Sequence, residues 1–211
     1  MHDTIKRLLD EAPVLLDGGW GTQLQAKGLP IGACPDAWNL TEPEKVEEVA
    51  RAYVAAGSRI VLTNTFGANR FMLARHDLAG KAADINRLGA ELSKRAAGDN
   101  ALVFASMGPS GVMLMMGEAS AEELRDAFLE QAGALAQGGA DGIVIETMAD
   151  PEEIKLAVSA AKETGLPVAA CMVFDSGAAL DRTMMGTTVE QAVALLDEAG
   201  ADVIGSNCGQ G

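Results

Sequence analysis

Three times in this sequence a helical stretch gives way to a short apolar run across a glycine. The joints are Ala56-Gly57-Ser58-Arg59-Ile60-Val61, Gly138-Gly139-Ala140-Asp141-Gly142-Ile143-Val144 and Ala199-Gly200-Ala201-Asp202-Val203-Ile204. A glycine at such a joint ends a helix in the left-handed conformation before the chain enters a buried strand. Repetition of the joint is βα periodicity. Alternating strands and helices with buried strands form a parallel sheet covered by helices.

Six runs read as strands: residues 14–16, 59–62, 101–107, 142–145, 167–174 and 201–205. They are rich in Val and Ile and too short for helices. Between them lie helix starts with a chemical signature. Thr41 precedes Glu42-Pro43-Glu44, with proline near the first turn and acids at the positive helix end. Ser120-Ala121-Glu122-Glu123 and Thr188-Val189-Glu190-Gln191 have capping-box spacing, and Asp150 precedes Pro151-Glu152-Glu153.

The strand ends are polar. Asp17 follows the first run, Thr63-Asn64-Thr65 the second, Glu146 the fourth and Asn207-Cys208 the sixth. Polar groups gathered at the C-terminal ends of parallel strands are how a βα barrel builds its site. The rival is an open sheet with a glycine-rich phosphate loop after its first strand. Gly18-Gly19-Trp20-Gly21 imitates such a loop, but the Asp17 carboxylate before it would repel a phosphate. The expected fold is therefore α/β, of the (βα)8 TIM-barrel type. About six βα units are expected, as one C-terminally incomplete barrel domain over residues 1–211.

The formal net charge of −14 argues against nucleic acid and against an anionic membrane surface as partners. No run of about 18 apolar residues is present, so no transmembrane helix is expected. Asp3, Lys6, Arg7, Asp10 and Glu11 interrupt the N-terminus, which gives no signal-peptide pattern. Three widely spaced cysteines, Cys34, Cys171 and Cys208, are an odd set with no disulfide framework, so a cytoplasmic protein with free or metal-bound thiols is expected. Cys171 reads as a small core residue and Cys34 as a loop thiol. Met113, Met115, Met116, Met184 and Met185 read as core filling or adaptable loops, and neither His2 nor His76 is assigned to metal. Cys208 stands apart. A thiolate at the C-terminal tip of a strand is a natural metal ligand or nucleophile.

Taken in order, the motifs are Asp17-Gly18-Gly19-Trp20-Gly21-Thr22, Leu62-Thr63-Asn64-Thr65-Phe66-Gly67-Ala68, Met107-Gly108-Pro109, Ile145-Glu146-Thr147 and Ser206-Asn207-Cys208-Gly209. This series resembles the homocysteine S-methyltransferase family over nearly the whole chain. Its Asn-Thr-Phe-Gly-Ala and Asn-Cys-Gly-Gln-Gly forms are most similar to the homocysteine domain of cobalamin-dependent methionine synthase. The resemblance implies a methyltransferase of class EC 2.1.1 acting in methionine biosynthesis. Its metal would be a zinc ion held by three thiolates that binds the homocysteine sulfur. Cys208 matches one ligand. The other two belong to a Gly-Gly-Cys-Cys segment that this sequence lacks.

Zinc would stabilise the substrate thiolate, leaving one position open for it. Asp17 and Glu146 are suited to the substrate ammonium. Backbone donors at Gly18 and Gly19, or the hydroxyls of Thr63 and Thr65, are suited to its carboxylate. Asn64 and Asn207 complete the expected substrate-binding set, with Cys208 as the catalytic and metal residue. The methyl donor stays open among methylcobalamin on a separate corrinoid protein, S-methylmethionine and a betaine. Two alternatives stand beside this reading. One is a non-catalytic barrel fragment completed by self-association or a complementing chain, and the other is a methyltransferase for another thiol.

Overall fold

The structure, a computed structural model, describes residues 2–209. It contains five parallel strands in the order β1 (Ile60–Val61), β2 (Leu102–Met107), β3 (Gly142–Met148), β4 (Val168–Met172) and β5 (Val203–Ser206). Sequential order with every neighbour parallel is the pattern of successive βα units. Four helices connect them: α6 (Ala82–Ala97), α7 (Ala121–Gln137), α8 (Pro151–Lys162) and α9 (Val189–Glu198). Before β1 come α1 (Asp3–Asp10), α2 (Trp20–Ala26), α3 (Trp38–Thr41) and α4 (Pro43–Ala55), and the short α5 (Arg70–Ala74) follows it.

Alternation along the strands sorts side chains onto two faces. Ala105, Met107, Ile143, Ile145, Val168 and Ala170 join Phe128, Leu135, Ile154 and Leu196 in the main core beneath the helices. Phe104 and Val144 lie on the other face, where Ile5 of α1 and Ile60 pack against them. The same alternation carries Ser106 and Glu146 onto that second face at the C-terminal end of the sheet.

The helix-to-strand joints form as the sequence implies. Gly57, Gly139 and Gly200 have φ of 104°, 89° and 84°. Ser120 and Thr188 form complete capping boxes with Glu123 and Gln191, and Asp150 caps α8. Two expectations are corrected. Residues 14–16 form no strand among the described residues. Leu15 only offers its carbonyl to the N–H groups of Arg59 and Ile60, at 2.9 and 3.2 Å. Pro13 has no N–H, and the irregular Asp17-Gly18-Gly19 stretch follows at once, so too few residues remain for a ladder. Thr41 closes α3 instead of capping α4: its hydroxyl donates back to the Ala37 carbonyl, and Glu42 takes the cap position before Pro43.

Candidate active site

Residues 62–68 leave β1 as non-strand chain with Thr63, Asn64, Thr65 and Ala68 buried, so its carbonyls need partners. Side chains from the surrounding helices supply them. Ser93 donates to Leu62 O at 2.8 Å, Asn39 to Asn64 O at 2.8 Å, Gln131 to Thr65 O at 2.9 Å and Asn86 to Ala68 O at 2.7 Å. Asn64 in turn donates to the Pro35 carbonyl at 2.8 Å and to Asn39 Oδ1 at 3.0 Å. Gly89 allows the close approach of α6, because a Cβ there would meet Asn39 Nδ2 and Thr65 Cγ2 at 2.6 Å.

This fixed loop is one wall of a cavity of about 380 Å³. Gly18, Gly19, Trp20, Cys34, Asp36, Thr63, Asn64, Thr65, Ser106, Glu146, Thr147 and Cys208 all contribute to its lining. All three of Thr63, Asn64 and Thr65 reach it, because β1 ends at Val61 and strand alternation no longer applies. The hydroxyls of Thr63 and Thr65 are already committed, however. Ser106 N–H donates to Thr63 Oγ1 at 3.0 Å, and Thr65 donates to the Ser106 carbonyl at 2.7 Å. The 2.5 Å contact between the two hydroxyls is then Thr63 donating to Thr65. These bonds hold the wall together on the side of Ser106.

Asp17 stands just behind the wall. Its Oδ2 accepts from Leu62 N at 2.7 Å and from Trp20 Nε1 at 2.8 Å, tying the Gly18-Gly19 stretch to the end of β1. Burial pushes its carboxyl above the usual range, against those two hydrogen bonds. Glu146 reaches the cavity itself. Ser106 donates to its Oε1 at 2.5 Å and Asn207 Nδ2 to its Oε2 at 3.0 Å. Burial chiefly raises its pKa, Ser106 and Asn207 oppose that, and the nearby charge of Asp17 adds to it.

Asn207 does not line the cavity but organises one side of it. Its Oδ1 accepts from Thr147 N at 2.8 Å, while Nδ2 donates to Thr147 Oγ1 at 3.1 Å as well as to Glu146. Cys208 follows at φ 61°, exposed, with Sγ 3.3 Å from Thr147 Oγ1. Thr147 is left-handed too, at φ 61°. Such a conformation costs a non-glycine residue about 1–3 kcal/mol and is rare for a β-branched one.

Asp36 carries little signal in the sequence, yet it is 5% exposed and lines the cavity. Its Oδ1 accepts from Gly67 N at 3.1 Å, and the Cys34 thiol lies 3.8 Å from Oδ2. Burial raises its pKa to about 6. Ser106 was more visible, as a lone hydroxyl inside the apolar run 101–107. Cys171 stays in β4, its thiol pushed up to about 11 by burial and then by the Glu146 charge. The five singled-out methionines are all exposed, Met115 and Met116 in the 3-10 turn Leu114–Met116 and the other three in loops.

Zinc is tested by the donor set. Among the described residues no three His, Cys, Asp or Glu side chains are grouped to hold a metal ion. Cys34 and Cys208 share the cavity, but they do not form such a group. The described residues therefore do not fit a three-thiolate zinc site by themselves.

A parallel α/β sheet with a thiol and a carboxylate at the C-terminal strand ends defines a barrel-type βα protein with its site in the usual place. The sequence profile of the homocysteine S-methyltransferase family matches residues 14–210, and the chain belongs to that family. It is 30% identical over 230 residues to the methionine synthase of Mycobacterium tuberculosis (strain ATCC 25618 / H37Rv), covering all of this chain and 19% of that protein. The methionine synthase of Mycobacterium leprae (strain TN) is 30% identical over 213 residues, covering 92% and 17%. The chain thus spans less than a fifth of the length of these curated relatives. Among solved structures, the metallated form of the homocysteine methyltransferase MmuM from Escherichia coli superposes with a TM-score of 0.83 at 24% identity, covering 98% of this chain and 78% of that one. Its oxidized form gives 0.79 at 25% identity, covering 98% and 77%. The fold is the TIM-barrel type of that enzyme.

Proposed function

We propose that this chain binds homocysteine in the cavity and presents its sulfur for methylation, giving methionine. One observation carries the reading: a carboxylate, Glu146, and a thiol, Cys208, meet at one cavity through the shared partners Asn207 and Thr147. Two half-buried acids, Asp17 and Glu146, repel each other when both are ionised. An ammonium in the cavity beside Glu146 relieves that repulsion, which is the chemistry an amino-acid substrate needs. Backbone N–H groups at Gly18 and Gly19 are the donors for its carboxylate, and Thr63, Asn64 and Thr65 shape the facing wall.

In the transfer, a sulfur lone pair forms the new S–CH3 bond. The bond from methyl to donor breaks, and its electron pair leaves with the donor. The donor is a methylcobalamin carried by a separate corrinoid protein, S-methylmethionine or a betaine. Cys208 would be one thiolate ligand of a zinc ion that lowers the pKa of the substrate thiol. Three free cysteines accord with a cytoplasmic setting. No described helix is long and apolar enough to cross a membrane.

Titration calorimetry with homocysteine tests the reading. The wild-type chain binds, and Glu146→Gln weakens binding about tenfold, or roughly 1.4 kcal/mol. Affinity is full where Glu146 is ionised and falls as pH drops through its raised pKa, so the loss begins above the usual glutamate range. A wild type giving no heat with homocysteine, but heat with another thiol amino acid, transfers the site to that acceptor. Heat with neither ends the reading.

A second reading has its own observation. Among the described residues β5 has a neighbour on one side only, and Val203, Val189 and Val193 are exposed beside it. An open apolar edge favours self-association or a complementing chain, and such a chain acts only in the assembly.

A further inference from the structure

Strand alternation should send Glu146 and Thr147 to opposite faces of β3. Both line the cavity instead. The pairing of β3 with β4 shifts register between Ile145 and Met148, and Thr147 takes its left-handed conformation inside that irregularity. Of the described non-glycine residues with positive φ, which are Asp77, Thr147, Leu180 and Cys208, it alone is β-branched.

Donor counting then fixes the direction of the hydrogen bonds that Asn207 makes. Thr147 N–H donates to Asn207 Oδ1, so the amide oxygen faces the backbone and Nδ2 faces Glu146 and Thr147. An amide nitrogen has hydrogens but no acceptor capacity. Thr147 Oγ1 therefore accepts from it, and the same oxygen lies 3.3 Å from Cys208 Sγ, a contact in which either atom can donate, while Asn207 Nδ2 lies 3.5 Å from that sulfur.

We propose that Thr147 is a positioning residue: locked left-handed by Asn207, it sets its hydroxyl against the Cys208 sulfur and fixes where that sulfur faces in the cavity. What Cys208 then does rests on the proposed function. The locking itself does not.

The test is NMR of the chain carrying 13Cβ-labelled cysteine, with the Cys208 signal assigned by Cys208→Ser. The wild type and Thr147→Ser, which keeps the hydroxyl, hold Cys208 in one χ1 rotamer. Thr147→Val keeps the size and loses the hydroxyl, so Cys208 averages over rotamers. Thr147→Gly also lacks the hydroxyl but tolerates the left-handed backbone, and it decides the matter if the Val variant does not fold. A single unchanged rotamer in the Val and Gly variants overturns the proposal, as does averaging in the Ser variant. Calorimetry with homocysteine on the same samples separates the two ideas. A wild type that binds none removes the proposed function and leaves the rotamer result standing. A wild type that binds, with Cys208 still fixed in the Val variant, removes Thr147 alone.

Discussion

Asp36 shows how a single side chain can matter to this site while carrying almost no sequence signal. It sits in an ordinary-looking Cys34-Pro35-Asp36 loop, and only the packing of that loop over Gly67 buries it. Its folded pKa of about 6 lies above its ordinary 3.8, with burial as the main cause. The folded state therefore holds the proton more tightly than the unfolded one, and stability falls as pH rises from about 4 to 6. Asp36→Asn keeps an acceptor for Gly67 N–H and removes the buried charge. It is expected to stabilise the chain by about 2 kcal/mol at pH 8, an advantage that disappears near pH 4. Urea unfolding at the two pH values checks this, and an unchanged difference would mean that Asp36 is not the titrating group. Glu146 and Cys208 were legible because each interrupts or ends an apolar run at a strand tip. Thr147 carries no such signal, because its place in the cavity depends on a register shift that alternation cannot anticipate.

At the level of elements, the chain repeats one device at two joints. Asp141 accepts from Val103 N on the neighbouring strand and pairs with Lys94 of α6. Asp202 accepts from Val168 N at 3.0 Å and pairs with Lys162 of α8 at 2.8 Å. Each aspartate thus ties a new strand to the previous strand and helix, which is why the Gly-Ala-Asp joint recurs. The joint was readable in the sequence, since left-handed glycines and apolar runs are local signals. Its aspartate partners were not, since they lie a full βα unit away. Burial alone would raise the Asp202 pKa, but Lys162 and the Val168 N–H outweigh it and the net shift is downward. Stability from Asp202 is thus present above the ordinary aspartate pKa and lost as pH falls through the lowered one. Asp202→Ala is expected to cost about 1–2 kcal/mol at pH 7. The loss should narrow in strong acid, and thermal unfolding across pH measures it. The failed local readings have local causes as well: Pro43 displaced the cap from Thr41, and Pro13 with the following irregular stretch left residues 14–16 without a ladder.

For the whole molecule, metal and assembly are one question. Three thiolates and an open position make a catalytic zinc site, and the described residues gather no three metal-binding side chains. Cys171 does not line the cavity that Cys34 and Cys208 share, and it belongs to no such group. A chain that stays monomeric is therefore expected to hold well under one zinc after purification, with or without homocysteine. Elemental analysis alongside sedimentation velocity separates the outcomes. A full equivalent of zinc in a monomer would mean that the ligands named here are the wrong ones. A full equivalent that appears only with a dimer would mean that a second copy completes the site, and Val193→Asp on the exposed face of α9 should then release metal and dissociate the dimer together. If that variant dissociates the dimer and keeps the zinc, the metal is bound within one chain and the exposed edge of β5 serves assembly alone.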